Sequence, residues 1–184
     1  MIVNKEVYNI LHEGEIMAQR QFGAEGYWNE HNLGMIRDSI PPKWAAHMEA
    51  QAFFFIATAN HLGECDCSFR GREFNASGQA YPLLKIMGAN TLVFPDYSGN
   101  KLYNSIGNIL VNPNIGMLFI DFQGRSRLRV NGSADIIEDR HAYEDIWPMA
   151  QRYVRVTVKQ AYPNCKARIP KMTFAPLTDA FFDE

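Results

Sequence analysis

From Phe53 onward the chain is written in short apolar runs, each cut off by a turn-forming cluster, and this punctuation limits the folds open to it. Phe53-Phe54-Phe55-Ile56-Ala57-Thr58 ends at Asn60-His61-Leu62-Gly63, and Glu64 to Phe69 reads as the returning strand. A polar excursion from Arg70 to Gln79 follows. Tyr81 to Ile86 and Thr91 to Phe94 then form a second hairpin pattern about Met87-Gly88-Ala89-Asn90. Ile115 to Phe122 turns at Gln123-Gly124-Arg125-Ser126 into Arg127 to Ile137. The clearest alternation comes last. Val154, Val156 and Val158 point one way and Arg155, Thr157 and Lys159 the other, the period of a half-buried strand. Leu102, Ile106, Ile109 and Leu110 fall instead at helical spacing, stopped by Asn112-Pro113, and a further helix is expected around Asp139 to Ala150. About six strands with one short helix inserted and no repeated β–α–β alternation predict a mainly β fold with flanking α. The expected architecture is a six-stranded antiparallel barrel, closed or nearly so.

Before Phe53 the texture is helical. Glu6 to Gln21 carries Val7, Ile10, Leu11 and Met17 at helix-like positions, although Gly14 weakens it. Phe22 to Gly34 reads as a surface loop. Asp38-Ser39-Ile40-Pro41 looks like a capped helix start, with the helix running through Trp44 and Met48 to about Gln51. The expected layout is a single domain over 1–184: a helical extension at 1–51, the barrel at 52–165 and a tail at 166–184.

Charge and cysteine content narrow the function. A formal net charge of -2 disfavours a surface built for nucleic acid, and no apolar run approaches the ~20 residues of a membrane span. Acidic residues stand where a secretion signal would have its apolar stretch, so a cytoplasmic location is expected. Three cysteines, Cys65, Cys67 and Cys165, fit free thiols in a reducing compartment. Cys65 and Cys67 share a strand face but lack the partners of a zinc shell, so burial as small hydrophobes is expected. His12 and Glu15 lie three apart on an amphipathic helix and read as a solvated face rather than a metal site. No metal is expected.

The stretch Pro95-Asp96-Tyr97-Ser98-Gly99-Asn100-Lys101 carries the chemistry. A helix starting near Asn100 would leave its first N–H groups unpaired at the positive end of its dipole. Ser98 adds a hydroxyl, Gly99 allows close approach and Lys101 adds a full charge. That set suits a phosphomonoester. A capped turn with a solvated lysine would use the same residues.

The segments "DCSFRG", "LVFPDYSGNKLYNSIGNILVNP", "IGMLFIDF" and "RLRVNGSADI" together resemble the flavin-binding split barrel of the pyridoxamine 5'-phosphate oxidase superfamily. "LHEGEIMAQRQFG" and "VKQAYPNCKARIPK" resemble a less characterised branch of it. The resemblance implies a homodimer with FMN in a groove between subunits. By motif, Ser98, Asn100 and Lys101 become phosphate contacts, and Ser68 and Arg70 contact the phosphate or ribityl chain. Pro95, Asp96 and Tyr97 line the flavin edge. Arg127 matches a position whose side chain reaches the flavin held mainly by the other subunit. Lys85 is less well aligned, because the excursion before it breaks the match. Redox chemistry at the flavin N5 on a small-molecule substrate would follow, with NADH or NADPH as a candidate electron donor. No general acid or base stands out, and no G-x-G-x-x-G fingerprint is present. The family's namesake reaction uses a C-terminal segment bearing arginine and histidine that grips the substrate phosphate. This chain ends "KMTFAPLTDAFFDE" and lacks it, so vitamin B6 oxidation is not expected. Cys165-Lys166 falls where relatives bring a C-terminal segment near the flavin; local packing and substrate contact are both open to it. A second use of the same barrel is to hold or deliver flavin, deazaflavin or haem without turnover.

Overall fold

Phe54 stacks on Phe119 with ring centroids 5.2 Å apart and meets Phe94 edge-on at 5.3 Å, and these three rings lie at the centre of the molecule. The computed structural model of the protein describes residues 10–174. Its strands are β1 (Phe54–Ala59), β2 (Cys65–Arg70), β3 (Lys85–Gly88), β4 (Thr91–Asp96), β5 (Asn114–Asp121), β6 (Ser126–Ile137) and β7 (Arg152–Asn164). They form one sheet of seven strands in the order β2-β1-β5-β6-β7-β4-β3, with every pairing antiparallel. Three strands separate β1 from β4 in that order, yet Phe54 and Phe94 touch. The sheet therefore curls around its core, as the twist of antiparallel sheets favours.

The strand count is seven rather than six, and the hydrogen-bonded ladder does not close. β2 and β3 remain edges. Between β2 and β4 lies the excursion after Arg70, whose Gly71, Arg72 and Glu73 line a cleft with Phe69, Phe94 and Pro95. A polar, turn-rich segment cannot continue a ladder. It fills the seam instead.

Alternation along the strands separates core from exterior. In β7, Val154, Val156 and Val158 are buried while Arg155, Thr157 and Lys159 are exposed. The bulge between Asn131 and Gly132 on β6 explains the "VNG" sequence, since a Cβ at Gly132 would strike the Thr157 carbonyl of β7.

The helices are α1 (Glu13–Gln21), α2 (Glu30–Leu33), α3 (Pro42–Ala50) and α4 (Asn104–Val111). The helix expected from Glu6 is broken at Leu11 and His12, with Ile10 helical before the break and α1 starting at Glu13 after it; Glu6 to Asn9, with Val7, lie outside the described residues. At the start of α1 His12 and Glu15 are both exposed, as the solvated face expected of them requires, and they also cap the helix. The His12 ring Nδ1 accepts from the Gly14 and Glu15 N–H groups at 3.1 and 3.4 Å, and Glu15 accepts from the His12 N–H at 3.0 Å. This reciprocal pair is a capping box, contributing ~1 kcal/mol. The surface loop expected over 22–34 contains the short α2. α3 starts at Pro42 with no side-chain cap, so the capping expected of Asp38 or Ser39 does not occur. The far end of α3 is capped across the fold: the Arg72 guanidinium donates to the Glu49 and Gln51 carbonyls at 2.6–3.0 Å.

Two further expectations fail. The segment from Asp139 to Ala150 forms consecutive turns instead of a helix. Pro148 lacks an N–H, and the segment is pinned by Trp147 donating to the Pro82 carbonyl and Tyr153 to the Arg140 carbonyl, both at 2.6 Å. Cys65 and Cys67 do share a face, but it is the outer one, and all three cysteines are exposed. No helix among the described residues is long and apolar enough to cross a membrane. The last part of the expected tail, 175–184, lies outside the described residues.

Removing the fully buried Phe119 ring should leave a cavity where three strands meet. Phe119→Ala is expected to cost about 3–5 kcal/mol in urea unfolding. Leu110→Ala, on the exposed side of α4, should stay within about 0.5 kcal/mol.

Candidate functional site

At the end of the seam, where β2 and β4 finish, two arginines converge on one carboxylate. Arg70 closes β2 and Asp96 closes β4. The Arg70 Nη1 donates to Asp96 Oδ1 at 3.4 Å, and Arg152, first residue of β7, places its Nε 3.7 Å from Asp96 Oδ2. Asp96 is only 7 % exposed. Burial raises its pKa, and the two guanidiniums oppose that rise. Antiparallel pairing fixes the geometry, because Asp96 and Arg152 are direct partners across β4 and β7.

The chain then leaves β4 through a loop of unusual backbone. Lys101 and Tyr103 hold left-handed φ values of 63° and 57°. The Asn100 side chain accepts from the Leu102 N–H at 3.0 Å, and among the described residues the N–H groups of Gly99, Lys101 and Tyr103 reach no protein acceptor. The Tyr103 ring packs under the Arg152 guanidinium at 5.1 Å. α4 begins only at Asn104, four residues later than expected. Asp66 of β2 accepts from two side chains of its first turn, Ser105 Oγ at 3.1 Å and Asn104 Nδ2 at 3.4 Å, while no side chain caps its first N–H groups. Asn108 donates to Thr58 at 3.1 Å, tying the helix to β1.

These groups surround one cavity of about 260 Å³. Seven of the nine residues singled out from sequence line it: Ser68, Arg70, Asp96, Tyr97, Ser98, Asn100 and Lys101. Three cations, Arg70, Lys101 and Arg152, face two carboxylates there, Asp66 and Asp96. The Arg70 Nε is buried without a partner among the described residues. A set of cations in excess, with unpaired amides and an unsatisfied guanidinium N–H, can take an oxyanion.

The remaining two residues lie elsewhere. Pro95 lines a neighbouring cavity of about 310 Å³ together with Phe54, Phe69, Phe94 and Leu83; Arg70, Tyr97, Ser98 and Gly99 border both cavities. Burial pushes the Tyr97 phenol up, and its hydroxyl has no partner among the described residues. Arg127 stands on the outer face of β6, opposite Asn164 at the far end of β7 from Arg152. Lys85 reaches toward Glu49, 4.0 Å away, and takes no part in either cavity.

Sequence reasoning missed Arg152 and Asp66. Arg152 is 56 residues from Asp96 in the chain, and only the strand pairing joins them. Asp66 was legible as a polar residue on the same strand face as Ser68 and Arg70. Groups of three or more potential metal ligands are absent among the described residues.

The sequence signature described as pyridoxamine 5'-phosphate oxidase matches residues 40–176. A Lactobacillus delbrueckii protein provisionally assigned as a pyridoxamine 5'-phosphate oxidase superposes with a TM-score of 0.52 at 13% identity, over 68% of this chain and 95% of its own. HupZ from Group A Streptococcus superposes with a TM-score of 0.51 at 14% identity, over 67% of this chain and 93% of its own. At these identities the likeness is one of fold. No curated protein sequence matches the chain.

The raised Asp96 pKa has a definite sign. Protonation is favoured in the folded state, so this residue's contribution to stability is fullest below its ordinary value of 3.8 and declines as pH rises through the folded value. The stability difference between the unaltered protein and Asp96→Asn should therefore shrink as pH is raised from about 4, read as thermal midpoints across a pH series.

Proposed function

Since the chain belongs to the pyridoxamine 5'-phosphate oxidase family, we propose that it binds FMN through the cavity at the end of the seam and acts as an FMN-dependent oxidoreductase on a small molecule. One observation carries the cofactor assignment: Arg70, Lys101 and Arg152 converge on a cavity whose loop amides and Arg70 Nε are unpaired. A phosphomonoester satisfies them together.

In this reading Lys101, Arg70 and Arg152 hold the phosphate, aided by Ser98, Asn100 and Ser68. Asp96 positions both arginines, so that neither swings out to solvent when the site is empty of charge. Asp66 keeps Ser105 and Asn104 engaged and confines the anion to the loop side. Pro95, Tyr97 and the phenylalanines of the neighbouring cavity exclude water beside the anion site. FMN, when bound, supplies hydride or electron transfer with the substrate.

The proposal includes a homodimer. Phe53 contacts Phe55, Phe69, Phe122 and Phe174 at 5.1–6.2 Å, forming an aromatic patch on the outer sheet face. Phe69 and Phe174 are 58 % and 52 % exposed. A contiguous apolar patch of this kind calls for a covering partner, and a second copy with the same patch is self-complementary. Such a dimer is also what would bring Arg127 of one subunit to the flavin of the other. A cytoplasmic location is part of the same proposal.

The purified protein is expected to be yellow and to release FMN, identified by mass. A colourless protein that takes up no added FMN, or one carrying haem, would overturn the assignment. Arg70→Ala with Lys101→Ala should weaken FMN binding by roughly a hundredfold, at about 1.5 kcal/mol or more per charged contact, and leave riboflavin affinity unchanged. Equal losses for both ligands would place the phosphate elsewhere. NADH or NADPH reduction of the bound flavin, followed by reoxidation with candidate acceptors, tests turnover. Phe69→Glu should convert the sedimenting species from dimer to monomer.

A further inference from the structure

β2 carries two kinds of chemistry, because successive side chains of a strand point to opposite faces. Asp66, Ser68 and Arg70 face the anion cavity, while Cys65, Cys67 and Phe69 stand on the outer face and are exposed. Free cysteine is among the residues most often buried, so two exposed thiols on one face of one strand depart from the usual pattern. β2 is an edge of the sheet, and no strand pairs with its far side. On the near side Ala59 and Ala57 pair with Cys65 and Cys67, and Gly116 of β5 pairs with Ala57 in turn. Cys65 also borders an outer-face cavity of about 560 Å³, lined by Ala57, Ala59 and Gly116 among others. The neighbours across the sheet thus carry no more than a methyl group, and the two sulfurs stand clear of them.

Geometry decides what two such thiols can do together. Positions two apart on an extended strand are separated by ~6.7 Å. A disulfide needs Cβ atoms ~3.5–4.5 Å apart, so Cys65 and Cys67 cannot oxidise to each other without moving the backbone. An ion held between them sets a looser requirement, since metal–thiolate bonds of ~2.3 Å place two opposed sulfurs ~4.6 Å apart. Strand side chains lean along the strand direction, and a small lean of each sulfur closes that difference. Further ligands are missing. Among the described residues no group of three or more His, Cys, Asp or Glu is able to hold a metal. Glu64 accepts from Asn60 at 2.6 Å in the adjoining turn, and Asp66 is turned to the other face, where it accepts from Ser105 and Asn104. Zinc, which takes four ligands, is thereby disfavoured. Soft thiolates without nitrogen or oxygen partners select copper(I).

We propose that Cys65 and Cys67 together form a two-coordinate site for a soft monovalent cation, copper(I), with one ion held per chain. The site does not depend on flavin binding, because it uses the opposite face of β2 from the anion cavity. It also leaves the aromatic patch free. Phe69 pairs with Phe55, and Phe53, Phe122 and Phe174 lie beyond them on the side away from Cys65. Cys165 takes no part. It follows the end of β7, with three strands between β7 and β2 in the sheet order, and its sulfur accepts from the Ala167 N–H at 3.3 Å.

The test titrates copper(I) without oxygen into the full, reduced chain, with bicinchoninate as the coloured competitor. One equivalent per chain should leave the competitor, and sulfur-to-metal absorption should appear in the ultraviolet. Cys65→Ser and Cys67→Ser should each weaken uptake at least about a hundredfold, while Cys165→Ser leaves it unchanged. Both substitutions fall on exposed positions, so the thermal midpoint of the metal-free protein should stay where it was. Arg70→Ala with Lys101→Ala should keep copper(I) uptake intact whether or not it alters FMN binding, which separates this inference from the flavin assignment. The inference is overturned by no uptake, by uptake retained in either single variant of the pair, or by uptake lost in Cys165→Ser. Half an equivalent per chain would also overturn it, as an ion shared between two copies, and so would zinc(II) displacing copper(I) from the pair.

Discussion

The ion cluster of Arg70, Asp96 and Arg152 spans the one gap that the hydrogen-bonded ladder leaves open. Six strand pairings hold the sheet together, but none joins β2 to β4. A carboxylate buried to this degree is costly alone, and two guanidiniums at 3.4 and 3.7 Å offset much of that cost. The arrangement is worth less as stability than as geometry. It fixes the ends of three strands relative to one another, and the cavity walls descend from those ends.

The same arrangement leaves the site with an excess of positive charge. Among the described residues Asp96 is shared by two arginines, Lys101 has no carboxylate partner, and Asp66 accepts from the Asn104 and Ser105 side chains. Among the described residues nothing fully satisfies the cations or the loop amides, so the cavity can take an oxyanion. The left-handed residues Lys101 and Tyr103 point to the same conclusion from the backbone, since β4 leads into α4 by a path that side-chain-bearing residues seldom take.

Much of this was legible in the sequence, for reasons that can be traced. Period-two alternation in β7 and the turn clusters after β1 and β5 follow directly from which side chains must avoid water. The run from Pro95 to Lys101 combined a glycine, a hydroxyl and a cation at the close of a strand, and all but Pro95 and Gly99 of the residues drawn from it belong to the set expected to touch ligand and do line the cavity; Gly99 lines it too. Other readings failed where local pattern was outweighed. Leu102 matched a helical period, yet the Asn100 side chain captures its N–H and α4 starts at Asn104. Asp139 to Ala150 looked helical until Trp147 and Pro148 are considered together with their anchors.

By itself, the sequence determined which segments become strands, which face of each is apolar, and where a loop able to meet an anion interrupts them, because these depend on neighbours within a few residues. It could not determine that Arg152 would share Asp96 with Arg70, that Asp66 would occupy the start of α4, or that Arg127 would lie at the far end of β7 beside Asn164. Those depend on register and on how tightly the sheet curls. Both are settled by packing side chains such as Phe54, Phe94 and Phe119 into one core, a collective fit among residues 25 to 65 positions apart in pairs that no local pattern encodes.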